Sequence, residues 1–367
     1  MYDDIANNEK NPYKGKIFNI PEGPDVYNGV KIDYKNKDVN SANFAAVLLG
    51  DAQATGGKKV LKSTKNDKVF IYFTDHGDTG IIGFPNDILT LKNFSEILIG
   101  MSKRNMYKEL TFYLETCEAG SMFNFSMPEN IYAMTATNML NDSYGCHCRT
   151  KFLPNNCLND CFSYNWMHDS DKGNLLKETL NQQFVYVQRK TKLSPVSIYG
   201  NTNIMQETVS EFMGAKANIL TSKELPQLDA SNFPSYPSID IPLNILEQEL
   251  AEKKDVNTSN ELQTLKKNRS FLDDQINQIV KLLVNDSSTQ SKVLTIHPAY
   301  ITDMDCHNNV MHAFNDYCFN FAESNYAFKY GFVLTNLCES GIDSNKIVTV
   351  LETHCKQAKT LNVKGII

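Results

Sequence analysis

Two short apolar runs dominate the hydrophobic pattern. Val69-Phe70-Ile71-Tyr72-Phe73 leads into Thr74-Asp75-His76-Gly77, and Thr111-Phe112-Tyr113-Leu114 leads into Glu115-Thr116-Cys117-Glu118-Ala119-Gly120. β-Branched and aromatic runs of this length, ending abruptly at polar and small residues, predict buried parallel strands that deliver a side chain at their carboxyl ends. Between them Phe94, Ile97, Leu98 and Met101 recur at helical spacing, which predicts a helix over 91–103. Strand, helix, strand makes parallel neighbours, and 131–137 reads as a further core strand.

Upstream, turn residues cluster at Asn11-Pro12, Pro21-Glu22-Gly23-Pro24 and Asn28-Gly29, and 41–50 reads as a short helix with Asn40 or Ser41 as its N-cap and Gly50 closing it. Downstream, 166–214 is helical in pattern, with Leu175, Leu176, Leu180, Phe184 and Val187 on one stripe, and short strands are expected at 198–200 and 208–213. Residues 215–260 change character: Pro226, Pro234, Pro237 and Pro242 among serines, asparagines and charges mark a segment that crosses a surface. From 261 to 367 the spacing of Leu272, Ile276, Ile279, Val280 and Leu283 predicts helices. The expected organisation is an α/β domain over 1–214, a linker over 215–260 and a helical domain over 261–367.

Composition permits this division, because 367 residues with 41% hydrophobic content can bury two cores. A net charge of −6 without a basic face argues against a nucleic-acid partner. No apolar run approaches the roughly 18 residues of a membrane span. Nine cysteines and six Asn-x-Ser sequons, at Asn93, Asn124, Asn141, Asn257, Asn268 and Asn285, point to the secretory route.

The two strand ends bring a histidine and a cysteine, and that pairing has a chemical reason. A thiol near its free pKa is only partly ionised at neutral pH, so a cysteine nucleophile needs an imidazole to take its proton or pair with the thiolate. Gly77 allows a substrate carbonyl close approach, and its N–H with that of Cys117 can hold the oxyanion of a tetrahedral intermediate. Singly, His76 reads as a satisfied strand-end histidine and Cys117 as a buried structural thiol; the paired motifs reverse that. Cys146, Cys148, Cys157 and Cys161 surround His147, which allows either a metal site or disulfides. Irregular spacing and a single histidine favour disulfides.

Thr74-Asp75-His76-Gly77 together with Glu115-Thr116-Cys117-Glu118-Ala119-Gly120-Ser121-Met122 resembles the legumain (asparaginyl endopeptidase) family. The likeness runs from Met1-Tyr2-Asp3-Asp4-Ile5-Ala6 through Tyr164-Asn165-Trp166-Met167 to the C-terminal cysteines. It implies a caspase-like sandwich with a central, mostly parallel sheet, followed by a helical prodomain. It also implies a cysteine endopeptidase that cleaves after Asn and more slowly after Asp, without metal or cofactor, in a lysosome, a vacuole or the secreted space.

By the same resemblance His76 and Cys117 are catalytic, Gly77 and Cys117 form the oxyanion hole, and Glu115 and Asp160 line S1. An Asn side chain needs both a donor and an acceptor there, since an unpaired buried amide costs a few kcal/mol. Asp75 stands where a family member can cyclise to a succinimide. The implied disulfides are Cys148–Cys157, Cys306–Cys338 and Cys318–Cys355, with Cys146 and Cys161 as an extra pair. The linker is expected to be cut after Asp255, Asn257 or Asn260. Expected partners are peptides with Asn at P1, the chain's own prodomain as inhibitor, and cystatin-type inhibitors.

In the family Met-Tyr-Asp-Asp follows a first strand that carries the S1 arginine and a histidine-orienting asparagine, so the sequence is expected to be truncated ahead of Met1. The segment 261–367 departs from a basic prodomain, with ten basic and eleven acidic residues. Two other readings remain: a peptide ligase or transamidase, since only the acceptor of the acyl group differs, and an inactive protein that keeps the fold.

Overall fold

The computed structural model describes residues 1–2, 4–214 and 233–358. The front of the expected linker, 215–232 with Pro226, lies outside the described residues, as do Asp3 and 359–367.

Helix α1 (Ser41–Leu48) is capped by Asn40, whose side chain accepts the Asn43 N–H. Strand β1 (Lys68–Thr74) continues into a small antiparallel sheet of β2 (Gly77–Asp78), β3 (Ile81–Gly83) and β4 (Ile88–Thr90). Thr90 then caps α2 (Leu91–Lys103), which buries Leu91, Phe94, Ile97, Leu98 and Met101. Strands β5 (Glu109–Glu115) and β6 (Ile131–Thr135) follow, then the hairpin β7 (Tyr144–Cys148) and β8 (Cys157–Asp160). Helices α3 (Cys161–Lys172) and α4 (Leu180–Lys190), strand β9 (Ser197–Gly200) and helix α5 (Val209–Met213) complete the first part.

The main sheet has the order β1-β5-β6-β9, parallel except for β9. Its two faces bury separate apolar layers. Phe94, Leu98, Phe112 and Ile71 fill the α1–α2 side, and Tyr113, Phe162, Trp166 and Val187 the α3–α4 side. Coverage on both faces is why β5 is buried at nearly every position rather than alternating.

Past the undescribed segment, β10 (Tyr236–Pro237) pairs antiparallel with β7, Tyr236 opposite Gly145. Helices α6 (Ile241–Lys253), α7 (Val256–Leu283), α8 (Ser287–Thr295), α9 (Met304–Ala313), α10 (Gly331–Glu339) and α11 (Ser344–Ala358) follow. Their core includes Ile81 and Ile88 of the small sheet, so the two halves share apolar burial. Disulfides join Cys306 to Cys338 and Cys318 to Cys355 here, and Cys148 to Cys157 and Cys146 to Cys161 beside β7 and β8.

Two sequence expectations are corrected. Residues 208–213 are not a strand: Thr208 forms an isolated bridge to Thr179 and α5 begins at Val209. The β-branched residues there cap and open a helix because the sheet edge at β6 is already taken by β9. The stripe across 166–214 breaks at Gly173, so Leu175 and Leu176 lie in a turn and Leu176 is exposed. Helix α7 runs through residue 260, the expected end of the linker.

Candidate functional site

The parallel register of β1 and β5 pairs Lys68 with Glu109 through to Thr74 with Glu115, so both strands end at the same level. The Asp75 N–H donates to the Glu115 carbonyl at 3.2 Å, which carries the alignment one residue past the ladder. His76 and Cys117 therefore both emerge at this end of the sheet, and both line one cavity of about 470 Å³. Gly77 lies against Thr116: a Cβ there would meet Thr116 Oγ1 at 2.8 Å and the Ile81 carbonyl at 2.9 Å, so only glycine fits.

Cys117 is the free cysteine, and it is 6% exposed. Its Sγ accepts the Ser143 N–H at 3.3 Å. Burial pushes its thiol well up, and the Glu118 and Asp142 carboxylates add to the shift. Burial pushes His76 down, against a smaller opposing pull from Asp75. Both effects favour a neutral thiol and neutral imidazole in this form. No acceptor among the described residues takes the Cys117 backbone N–H.

Glu115 is buried on β5. The N–H and Oγ–H of Ser163 donate to its Oε2 at 2.8 and 2.9 Å, while Oε1 has no donor. Burial, then the Asp160 charge, raises this carboxyl well above the usual range. Asp160, at the junction of β8 and α3, is itself pushed up to about 6 by burial and by Asp75. The two acids are thus electrostatic neighbours, although neither is among the residues lining the cavity of His76 and Cys117. The His76 N–H donates to Asp75 Oδ1 at 2.6 Å.

The C-terminal half covers this cavity. Phe328 packs its ring 6.0 Å from that of His76, and the Phe332 N–H donates to Asp78 Oδ2 at 3.3 Å. Asp78 is pushed up to about 7 by its burial. Ser238 donates its N–H to the Ser143 carbonyl at 2.9 Å and sits 3.1 Å, Oγ to Oγ, from the same residue. His307, wholly buried, lies 3.1 Å through Nε2 from the Thr79 carbonyl, and burial pushes it down to about 4. The Thr90 hydroxyl donates to Asn308 Oδ1 at 2.7 Å, and Lys92 pairs with Asp305 at 2.6 Å.

Of the expected cut positions, Asp255 caps α7 by accepting the Thr258 N–H, and Asn257 and Asn260 lie in its first turns. Reading the sequence missed Ser143, Ser163, Glu118, Asp142 and Lys329. Glu118 and Asp142 were legible only as parts of a motif and a sequon, and Ser163 and Lys329 carry no local signal.

A model of the Peptidase C13 family matches residues 1–215, and one described as the legumain prodomain matches 260–355. Legumain of Mus musculus is 40% identical over 366 residues, covering 97% of this chain and 83% of that protein. Hemoglobinase of Schistosoma japonicum is 38% identical over 361 residues, with the same coverage of 97% and 83%. The vacuolar-processing enzyme delta-isozyme of Arabidopsis thaliana is 34% identical over 380 residues, covering 97% and 81%.

Because the other eight cysteines are in disulfides, iodoacetamide under non-reducing conditions reports Cys117 alone. Carbamidomethylation followed by mass spectrometry is expected to be at least about tenfold slower in the folded chain than in urea. Equal rates would show that the thiol is not held up by burial.

Proposed function

The chain belongs to the Peptidase C13 family, and on that ground we propose that it cleaves after Asn, and more slowly after Asp, with Cys117 as nucleophile and His76 as general base and acid. That it is a cysteine endopeptidase with a legumain prodomain follows from the family and its relatives. The observation that carries the catalytic reading is the β1–β5 register, which ends both strands beside one cavity.

In this reading His76 takes the Cys117 thiol proton and the thiolate attacks the scissile carbonyl. The Cys117 and Gly77 N–H groups hold the oxyanion. The intermediate collapses as His76 returns the proton to the leaving amine, and water then releases the acyl group by the reverse exchange. Asn at P1 would meet Glu115 Oε1, the oxygen that Ser163 leaves without a donor, and Asp160 would complete the acidic wall. Deprotonated, these two acids repel a P1 Asp; protonated, they accept it.

The linker and prodomain together act as a stopper in this scheme, because Ser238 and β10 of the linker lie along the β7 edge while Phe328 and Phe332 of the prodomain cover His76 and Asp78. His307 supplies an acid trigger. Freed, its pKa returns toward about 6.5, whereas docked it is about 4, so the docked state binds fewer protons. Docking through His307 is complete above about 6.5 and weakens as pH falls toward 4. Glu339 opposes and His312 reinforces this depression, with Lys92 and Asp305 paired nearby. Asp78 works the other way, since its raised value favours docking below about 7. Linker cleavage at Asp255, Asn257 or Asn260 needs the first turn of α7 to fray. Four disulfides agree with a lysosomal, vacuolar or secreted setting.

One observation favours added ligase chemistry. The His76 nitrogen that would attack the Asp75 carboxyl, expelling water to form a succinimide, is already hydrogen-bonded to it.

Cys117→Ala is expected to abolish hydrolysis of an Asn-P1 fluorogenic peptide, and Glu115→Ala to lower kcat/KM by about a hundredfold. Hydrolysis surviving in Cys117→Ala would exclude it as nucleophile. The Asp-P1 to Asn-P1 ratio should rise as pH drops through about 6, where Asp160 takes its proton; a flat ratio would remove Asp160 from S1. In His307→Phe, the acid midpoint of prodomain release, followed by size-exclusion chromatography, should move to lower pH. An unmoved midpoint would assign the trigger elsewhere. Intact-mass spectrometry after incubation should show loss of one water in the native chain and none in Asp75→Ala; loss in both would rule out Asp75.

A further inference from the structure

We propose that Cys117, Glu118 and Asp142 form a binding site for a divalent cation of the zinc class, through which such an ion reversibly blocks the active cavity. Binding rests only on the geometry; the blocking consequence rests on the reading of Cys117 as nucleophile.

The Cys117 Sγ and one carboxylate oxygen each from Glu118 and Asp142 lie within 4.8 Å of one another. Zinc is held at about 2.3 Å from sulfur and about 2.0–2.2 Å from oxygen, so three atoms so spaced reach one ion once they draw together by up to about 1 Å. One thiolate and two carboxylates suit a borderline ion better than magnesium or calcium, which take oxygen alone. The thiol proton leaves to solvent on binding.

Glu118 points independently to a ligand. It is 5% exposed, and no described residue donates a hydrogen bond to its carboxylate or pairs with it. A buried carboxylate without a partner is costly. Left-handed backbone at Glu118, with φ of 46°, follows directly on the nucleophile. The cleavage reaction, meanwhile, uses neither Glu118 nor Asp142, and their charges oppose thiolate formation.

The rest of the wall favours a cation. Asp78 adds its charge to Glu118, and Asp240 to Asp142. Lys329, from the prodomain, is the only lysine or arginine among the described residues lining the cavity, and its charge acts on Asp142. A cavity of about 470 Å³ leaves room for waters to complete the coordination shell. Loss of the prodomain would remove Lys329 and strengthen the site.

Cadmium titration of the full-length chain, followed by the ultraviolet thiolate-to-cadmium charge-transfer band, tests the site, with zinc measured by competition. Cys117 is the free thiol, so the band reports it. One equivalent should bind, the band should vanish in Cys117→Ser, and Kd should weaken about tenfold or more in both Glu118→Gln and Asp142→Asn. His76→Ala should leave Kd nearly unchanged. No band in the native chain, or an unchanged Kd in the two carboxylate variants, overturns the proposal. So does a large loss in His76→Ala, which would mark a thiolate–imidazole pair instead. If Glu118→Gln does not melt like the native chain, Asp142→Asn at the rim decides. Asn-P1 hydrolysis is assayed separately, so a band without hydrolysis sinks the catalytic reading and leaves the site standing.

Discussion

The parallel alignment of β1 with β5 is the constraint on which the rest depends. Evenly spaced hydrogen bonds hold Thr74 opposite Glu115, and both strands are locked by apolar layers on each face. A slip of one residue would turn each strand's side chains to the opposite face. Burial on both faces thus serves the chemistry as much as stability, because it makes the level at which His76 and Cys117 emerge unambiguous.

What emerges there is unusually acidic. Glu118 and Asp142 act on the thiol, Asp78 acts on Glu118, and Glu115 and Asp160 form a second acidic pair outside the cavity lining. Such a cluster is poorly hydrated and raises the proton affinity of each member. Phe328 and Phe332 line this cavity, with Lys329 as the one lysine or arginine among the described residues there. Contact between the two halves therefore needs little overall charge, which reconciles it with the near balance of ten basic and eleven acidic residues over 261–367. The Lys92–Asp305 pair and the charge of Lys329 on Asp142 carry the electrostatics, and shared burial through Ile81 and Ile88 carries the rest.

Much of the fold was legible in the chain. The stripe from Leu91 to Met101 and the runs ending at Thr74 and Glu115 became helix and strands because local pattern and tertiary burial agree there. Where they disagreed, tertiary context won. Thr208-Val209 has strand propensity, yet β9 already occupies the edge of β6 and the segment closes into α5. Leu175 and Leu176 fit a helical stripe, but Gly173 ends α3 before them.

The sequence by itself determined the α/β class, the identity of the imidazole and the thiol, and the acid two residues ahead of the thiol. The class, the imidazole and the thiol are legible from composition and period within single segments, whereas the acid is singled out by the resemblance to the legumain family. Only the tertiary structure decided which groups meet in and around the site. Ser143 beside the sulfur, Ser163 on Glu115, Lys329 against Asp142 and His307 on Thr79 join positions separated by 26, 48 and 228 residues in the hydrogen-bonded cases. Contacts at such separation are set by how layers pack, and no periodicity along the chain records them.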